Sequence, residues 1–194
     1  EEALIYRASV LTGHLEAISC FATSADGKWI ISGSDDHTVR IWDLESTEEL
    51  HCFSENQDPI LAVSISPDKH EVTAISQNAV NTNIFVWDIE KGYLVKWLQG
   101  DHPARAAALN QDGDLALVVY NKTLILWNTT KNQILTRLTG ELDSVIVIAL
   151  SPNGKFAALG AEDNAFRIWD LDNAVEIAWI TCPDPLKAVA FTAG

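Results

Sequence analysis

Basic residues are scarce in this chain. Thirteen lysines and arginines face 27 aspartates and glutamates, a formal charge of −14, and they form no cluster. A surface that acidic repels phosphate backbones and anionic headgroups, which argues against nucleic-acid and membrane partners. No apolar stretch approaches the roughly 18 residues that a spanning helix needs. The three cysteines, Cys20, Cys52 and Cys182, are odd in number, far apart and never in a CxxC pair, so neither a zinc site nor a redox motif is indicated. Cys20, in the apolar run Ile18 to Ala22, reads as a small core residue, and a reducing intracellular setting, cytoplasmic or nuclear, is expected. Gly-rich phosphate loops and nucleophile elbows are missing. No segment shows sustained helical periodicity between caps, so the chain is expected to be all-β. Two sequons, Asn121-Lys122-Thr123 and Asn128-Thr129-Thr130, are short enough to read as chance.

What the chain has is tryptophan, seven in all, and most of them recur. Four close equivalent segments: Arg40-Ile41-Trp42-Asp43, Val86-Trp87-Asp88, Leu126-Trp127-Asn128 and Arg167-Ile168-Trp169-Asp170, spaced 45, 40 and 42 residues apart. Upstream of each lies a turn: Ser24-Ala25-Asp26-Gly27, Ser66-Pro67-Asp68-Lys69, Asn110-Gln111-Asp112-Gly113 and Ser151-Pro152-Asn153-Gly154. The turn-to-tryptophan distance is 15, 18, 14 and 15 residues, and four copies in one register define a repeat.

Each unit reads as four short strands. In the first, Ile18 to Thr23 enters the Asp26-Gly27 turn, where glycine takes positive φ at low cost. Trp29 to Ser32 follows, then the polar turn Gly33 to His37, then the alternating strand Thr38 to Trp42, and finally a strand from about Glu49 to Phe53.

Gly13-His14, Ser32-Gly33-Ser34-Asp35-Asp36 and Val39-Arg40-Ile41-Trp42-Asp43 together resemble the signature of the WD-repeat family, and the resemblance extends over essentially the whole chain. It implies a β-propeller, with four-stranded antiparallel blades packed face to face around a channel. Four complete blades are expected at about 13–53, 54–98, 99–138 and 139–181. Residues 1–12 are left as an outer strand and 182–194 as an inner strand, so the chain is expected to be part of a larger ring of about seven or eight blades. The resemblance also implies a structural hydrogen-bond relay, placed here on His14, Ser32, Asp36 and Trp42, with Asp163 and Trp169 as its remnant in the fourth blade. It satisfies a buried indole N–H and a buried carboxylate together. The second blade has Asn56 or Asp58 near the histidine position and a longer polar turn, Gln77 to Asn83. The third has His102 and Asn121, and the fourth has Glu141 and Leu159, at relay positions.

The five histidines, His14, His37, His51, His70 and His102, are spread over different blades, and the recurring carboxylates sit at turns. No catalytic residue, metal or cofactor is expected. Trp97 and Trp179, each ten residues after its repeat tryptophan, read first as edge protection and second as interface residues. Propellers bind at the rim where the loop before the first strand meets the loop between the second and third. That maps the candidate site to Leu15, Ala17, Asp35, Arg105, Tyr120, Leu142, Ser144 and Glu162. Asp35 and Glu162 suit a protein or peptide partner carrying basic residues. The expected function is a non-catalytic protein–protein interaction scaffold within a larger assembly. The alternative is the sensor or autoinhibitory portion of a larger signalling protein, such as a nucleotide-dependent switch.

Overall fold

The computed structural model describes residues 9–140, 142, 145–184 and 186–191. The architecture is a four-blade β-propeller, all-β, with no helix among the described residues. Blade 1 comprises β1 (Ile18–Thr23), β2 (Trp29–Ser34), β3 (Val39–Asp43) and β4 (Glu49–Phe53). Blade 2 comprises β5 (Ile60–Ile65), β6 (Glu71–Gln77), β7 (Thr82–Asp88) and β8 (Tyr93–Gln99). Blade 3 comprises β9 (Ala106–Leu109), β10 (Leu115–Tyr120), β11 (Thr123–Asn128) and β12 (Gln133–Thr139). Blade 4 comprises β13 (Val145–Leu150), β14 (Phe156–Ala161), β15 (Ala165–Asp170) and β16 (Val175–Thr181). Every blade is a sequential antiparallel meander with the repeat tryptophan on its third strand.

The β1–β2 turn chemistry repeats. Ser24, Ser66 and Ser151 each accept the amide of the residue five positions on, and Asn110 does the same for Leu115. Gly27, Gly113 and Gly154 take φ of 67°, 74° and 70°. Lys69 stands at that place in blade 2 with φ 61°, a backbone that a side chain resists. Its ammonium is 2.6 Å from Asp26 and 4.2 Å from the centroid of Trp29, so it ties blade 2 to blade 1.

Both faces of each inner blade are covered, so apolar side chains occur on both. Ile31, Val39, Ile41 and Phe53 of blade 1 pack against Val72, Phe85 and Trp87 of blade 2. Ile84 and Leu98 of blade 2 meet Ala116 and Trp127 of blade 3. Leu117, Leu124, Leu126 and Leu138 of blade 3 meet Leu159 and Trp169 of blade 4. Each such side chain buried from water stabilises the fold by about 1.5–3 kcal/mol.

Two expectations change, and a third lies mostly outside the described residues. The polar run after Gln77 is a turn of Asn78 to Asn81 only, because β6 and β7 absorb Gln77, Thr82 and Asn83 into their ladder. The expected strand Leu186 to Phe191 is irregular and forms no ladder, although Leu186 packs over Gly160. Val189, Ala190 and Phe191 nevertheless line one channel together with β1, β5, β9 and β13, the place of a fifth inner segment. Most of the expected strand Leu4 to Leu11 lies outside the described residues, and residues 9–11 are irregular.

Candidate functional site

Blade 1 brings the four relay residues together. The indole of Trp42 donates to Ser32 Oγ at 2.8 Å, and Ser32 Oγ lies 2.7 Å from His14 Nε2. With its oxygen accepting from the indole, the hydroxyl donates to Nε2, which leaves Nδ1–H for Asp36 Oδ2 at 2.9 Å. Asp36 also accepts from the Leu15 amide at 2.9 Å, the Thr38 amide at 2.9 Å and the Thr38 hydroxyl at 2.6 Å. Burial pushes the Asp36 carboxyl up, but Thr38, the Leu15 amide and His14 together hold it well below the usual carboxylate range.

In strand register, Ser32 is replaced by Ala74, Val118 and Leu159 in blades 2 to 4, since Ile30, Val72, Ala116 and Ala157 pair with the four tryptophans. Trp87 finds a different acceptor, Glu55 Oε2 at 3.0 Å. The reading that put Asn56 or Asp58 there is corrected: Asn56 is bonded to Ser76, and Asp58 to Asn78 and Asn83. Glu55 was legible, because it follows Ser54 as His14 follows Gly13 and Glu141 follows Gly140. Among the described residues, the buried indole N–H groups of Trp127 and Trp169 find no partner. The remnant relay of blade 4 is therefore not assembled. Asp163 caps the Ala165 amide and lies 3.6 Å from Arg167, while Leu159, fully buried, offers Trp169 no acceptor. His102 does not reach its tryptophan either; it stacks on Tyr120 with 4.6 Å between centroids. Asn121 adopts φ 48° in the β10–β11 turn, a turn role rather than a relay role.

A second brace separates the blades in pairs. Beside Trp42, Arg40 contacts Glu49 at 2.5 Å, and beside Trp169, Arg167 contacts Glu176 at 3.3 Å. The same register positions hold Phe85 and Leu94 in blade 2, and Ile125 and Ile134 in blade 3.

The segments 6–43 and 132–170, which contain these Arg-x-Trp-Asp ends, match the model of the WD domain, G-beta repeat. The WD-repeat match falls on β1–β3 and on β12–β15. It is similar to Autophagy-related protein 16 of Arabidopsis thaliana, 27% identical over 82% of this chain and 31% of the relative. It is also similar to Striatin-4 of Mus musculus, 28% identical over 89% of this chain and 24% of the relative. Against Cell division cycle 20.1, cofactor of APC complex, of Arabidopsis thaliana, identity is 29% over 70% of this chain and 30% of the relative. The chain thus spans less than a third of the length of these relatives.

On the propeller rim, the expected residues have separate fates. Leu15 is 87% exposed and Ala17 is exposed, with the Ala17 carbonyl accepting the Asp35 amide at 2.9 Å. Asp35 is half-buried, and its carboxylate accepts no hydrogen bond among the described residues. Arg105 and Glu162 pair with each other at 3.1 Å, and Arg105 also donates to the Val145 carbonyl at 3.2 Å. Tyr120 Oη accepts from Arg137 at 3.2 Å. Leu142 is corrected: it is fully buried in the core between blades 3 and 4, an apolar side chain packed in the cluster that holds Trp169. Ser144 and Glu141 lie outside the described residues. The rim feature that the sequence did not reveal is an open cleft of about 820 Å³ between blades 2 and 3, lined by Pro59, Gln77, Asn78, Pro103, Arg105 and Asn121.

The carboxylates on the opposite side are committed to the fold. Asp43 accepts from Ser46 and Glu45, Asp88 from Lys91, and Asp170 from Asn173, and these bonds lower all three carboxyls. Among the described residues, no three His, Cys, Asp or Glu side chains converge as a metal site would require. No helix of the described residues is long and apolar enough to cross a membrane. The three cysteines are free, and burial pushes the Cys20 thiol up to about 11.

Proposed function

We propose that this chain is a non-catalytic platform that holds a peptide or partner domain through its rim, inside a larger assembly. The open rim cleft between blades 2 and 3 carries this reading, because it is a hollow on the same rim that exposes Leu15, held in shape by Asn78 and Arg105, which are bonded to neighbouring backbone. Leu15 projects into solvent and Asp35 keeps an unbonded carboxylate, whereas the acids of the opposite turns are locked. The relatives support the same class: one is named as a cofactor of a complex and another as an autophagy-related protein.

Asp35 is the rim acid that suits a basic residue on the partner; Glu162 contributes less, since Arg105 already neutralises it. With three free thiols, the protein works in a reducing, intracellular compartment. The test compares proteins captured from cell extract by the wild type, by a Leu15→Asp/Asp35→Lys variant and by Asp43→Lys on the opposite side. Loss of specific partners in the rim variant alone is the expected result. Identical partner sets for all three would overturn the rim reading.

A further inference from the structure

The junctions between blades differ in how their outer halves are filled. Between blades 1 and 2, five rings form a continuous row: His51 on Phe53, Phe53 on Trp87, Trp87 on Phe85 and Phe85 on Trp97, with centroid separations of 5.7, 5.2, 5.5 and 6.4 Å. Between blades 2 and 3 the equivalent positions are Leu98 for Phe53, Trp127 for Trp87, Ile125 for Phe85 and Arg137 for Trp97. Only the tryptophan survives. The space the other rings would occupy is a cavity of about 370 Å³, with Val118, Ile125 and Trp127 at its base and His102, Tyr120 and Arg137 around it.

We propose that this cavity is a binding pocket for an aromatic side chain, carried as an anchor by a partner peptide. Blade 2 shows what the slot accepts, because there the same backbone positions hold a stack of rings. One part of the wall is apolar and aromatic, the rest is polar and includes Gln99 and Asp101, and the guanidinium of Arg137, held at 3.2 Å by Tyr120 Oη, can lie over a ring face. Among the described residues no carboxylate pairs with Arg137, unlike Arg40 and Arg167. A large ring seated on apolar side chains in a preformed pocket with a few polar groups and one oriented cation is a common form of interface anchor. The pocket lies beside the blades and does not depend on the rim reading.

The experiment follows the indole N–H resonance of Trp127 as probes are added at millimolar concentration. The probes are N-acetyl-tyrosinamide, N-acetyl-phenylalaninamide, their cyclohexylalanine and alanine analogues, and a five-residue peptide with a central tyrosine between glycines. Aromatic amides and the tyrosine peptide should give saturable shifts, the cyclohexyl analogue weaker ones and the alanine analogue none. Arg137→Gln should weaken aromatic binding about fivefold. The variant Ile125→Phe/Arg137→Trp, which copies the blade 2 row, should fill the slot and abolish the shifts while the other indole signals stay in place. Equal binding of the cyclohexyl analogue, or binding that survives in the filled variant, would overturn an aromatic pocket at this place. A pocket that takes the amides but refuses the peptide would overturn the peptide anchor.

Discussion

Blades 1 and 3 share a strand order and place the same tryptophan on the third strand, yet they solve its burial in opposite ways. Trp42 hands its N–H proton to a chain of partners that ends on a buried carboxylate. Trp127 has Val118 where Ser32 would be, and its N–H is left without an acceptor beside a cavity. The backbone does not register the difference. Propeller geometry therefore rests on alternation, turns and apolar contact between sheets, and the relay adds stability and rigidity to a blade that would form without it. The missing bond still costs, since a buried unsatisfied donor is worth about 1–3 kcal/mol. Blades 2 and 4 fall between these extremes, one borrowing Glu55 and the other keeping an Arg–Glu brace beside an indole with no partner among the described residues.

The sharpest way to break this comparison is Asp36→Ala. It removes the acceptor on which His14, Thr38 and the Leu15 amide converge, and it should cost about 3 kcal/mol in denaturant unfolding. A loss of only a few tenths would show that the relay is ornamental. Next, Trp42→Phe should cost about 1–3 kcal/mol more than Trp127→Phe, because only the first strands polar partners while the second removes an orphan donor. Equal costs would erase the distinction between the blades.

The pH dependence follows the same logic. The folded-state pKa of Asp36 lies below its unfolded value, so its contribution is complete above the ordinary Asp value of about 3.9 and is lost as pH falls below it. The gap in melting temperature between wild type and Asp36→Asn should therefore be wide at neutral pH and shrink in acid. A gap that widens in acid would reverse the assignment. Glu49→Gln should have a smaller effect, about 0.5 kcal/mol, since its partly exposed pair with Arg40 is screened by water. Least of all, Asp26→Ala should barely move the melting temperature, although it frees Lys69.

Much of blade 1 was legible before any coordinates. β1 and β4 have the bounds expected from alternation, and His14, Ser32, Asp36 and Trp42 meet as the family resemblance implies. The rim was less legible. Leu142 looked like a loop residue, but its side chain is fully buried in the cluster that holds Trp169. Glu162 looked like a free acid, but Arg105, 57 positions away, holds it. Asn56 or Asp58 stood near the histidine position of blade 2, but it is Glu55 that reaches Trp87.

These outcomes divide along a physical line. Strand alternation, glycine turns and the spacing of tryptophans are properties of neighbouring residues, so the sequence by itself determined the all-β repeat and the position of each tryptophan in it. Which polar groups find partners, and whether a junction between blades is filled or hollow, depends on side chains roughly 30 residues apart, as Glu55 and Trp87 are at 32, meeting across two sheets. Phe53 and Trp87 close one junction, while Leu98 and Trp127 leave the next one open. Packing between blades decided that, because cavity volume and hydrogen-bond reach are set by both surfaces at once.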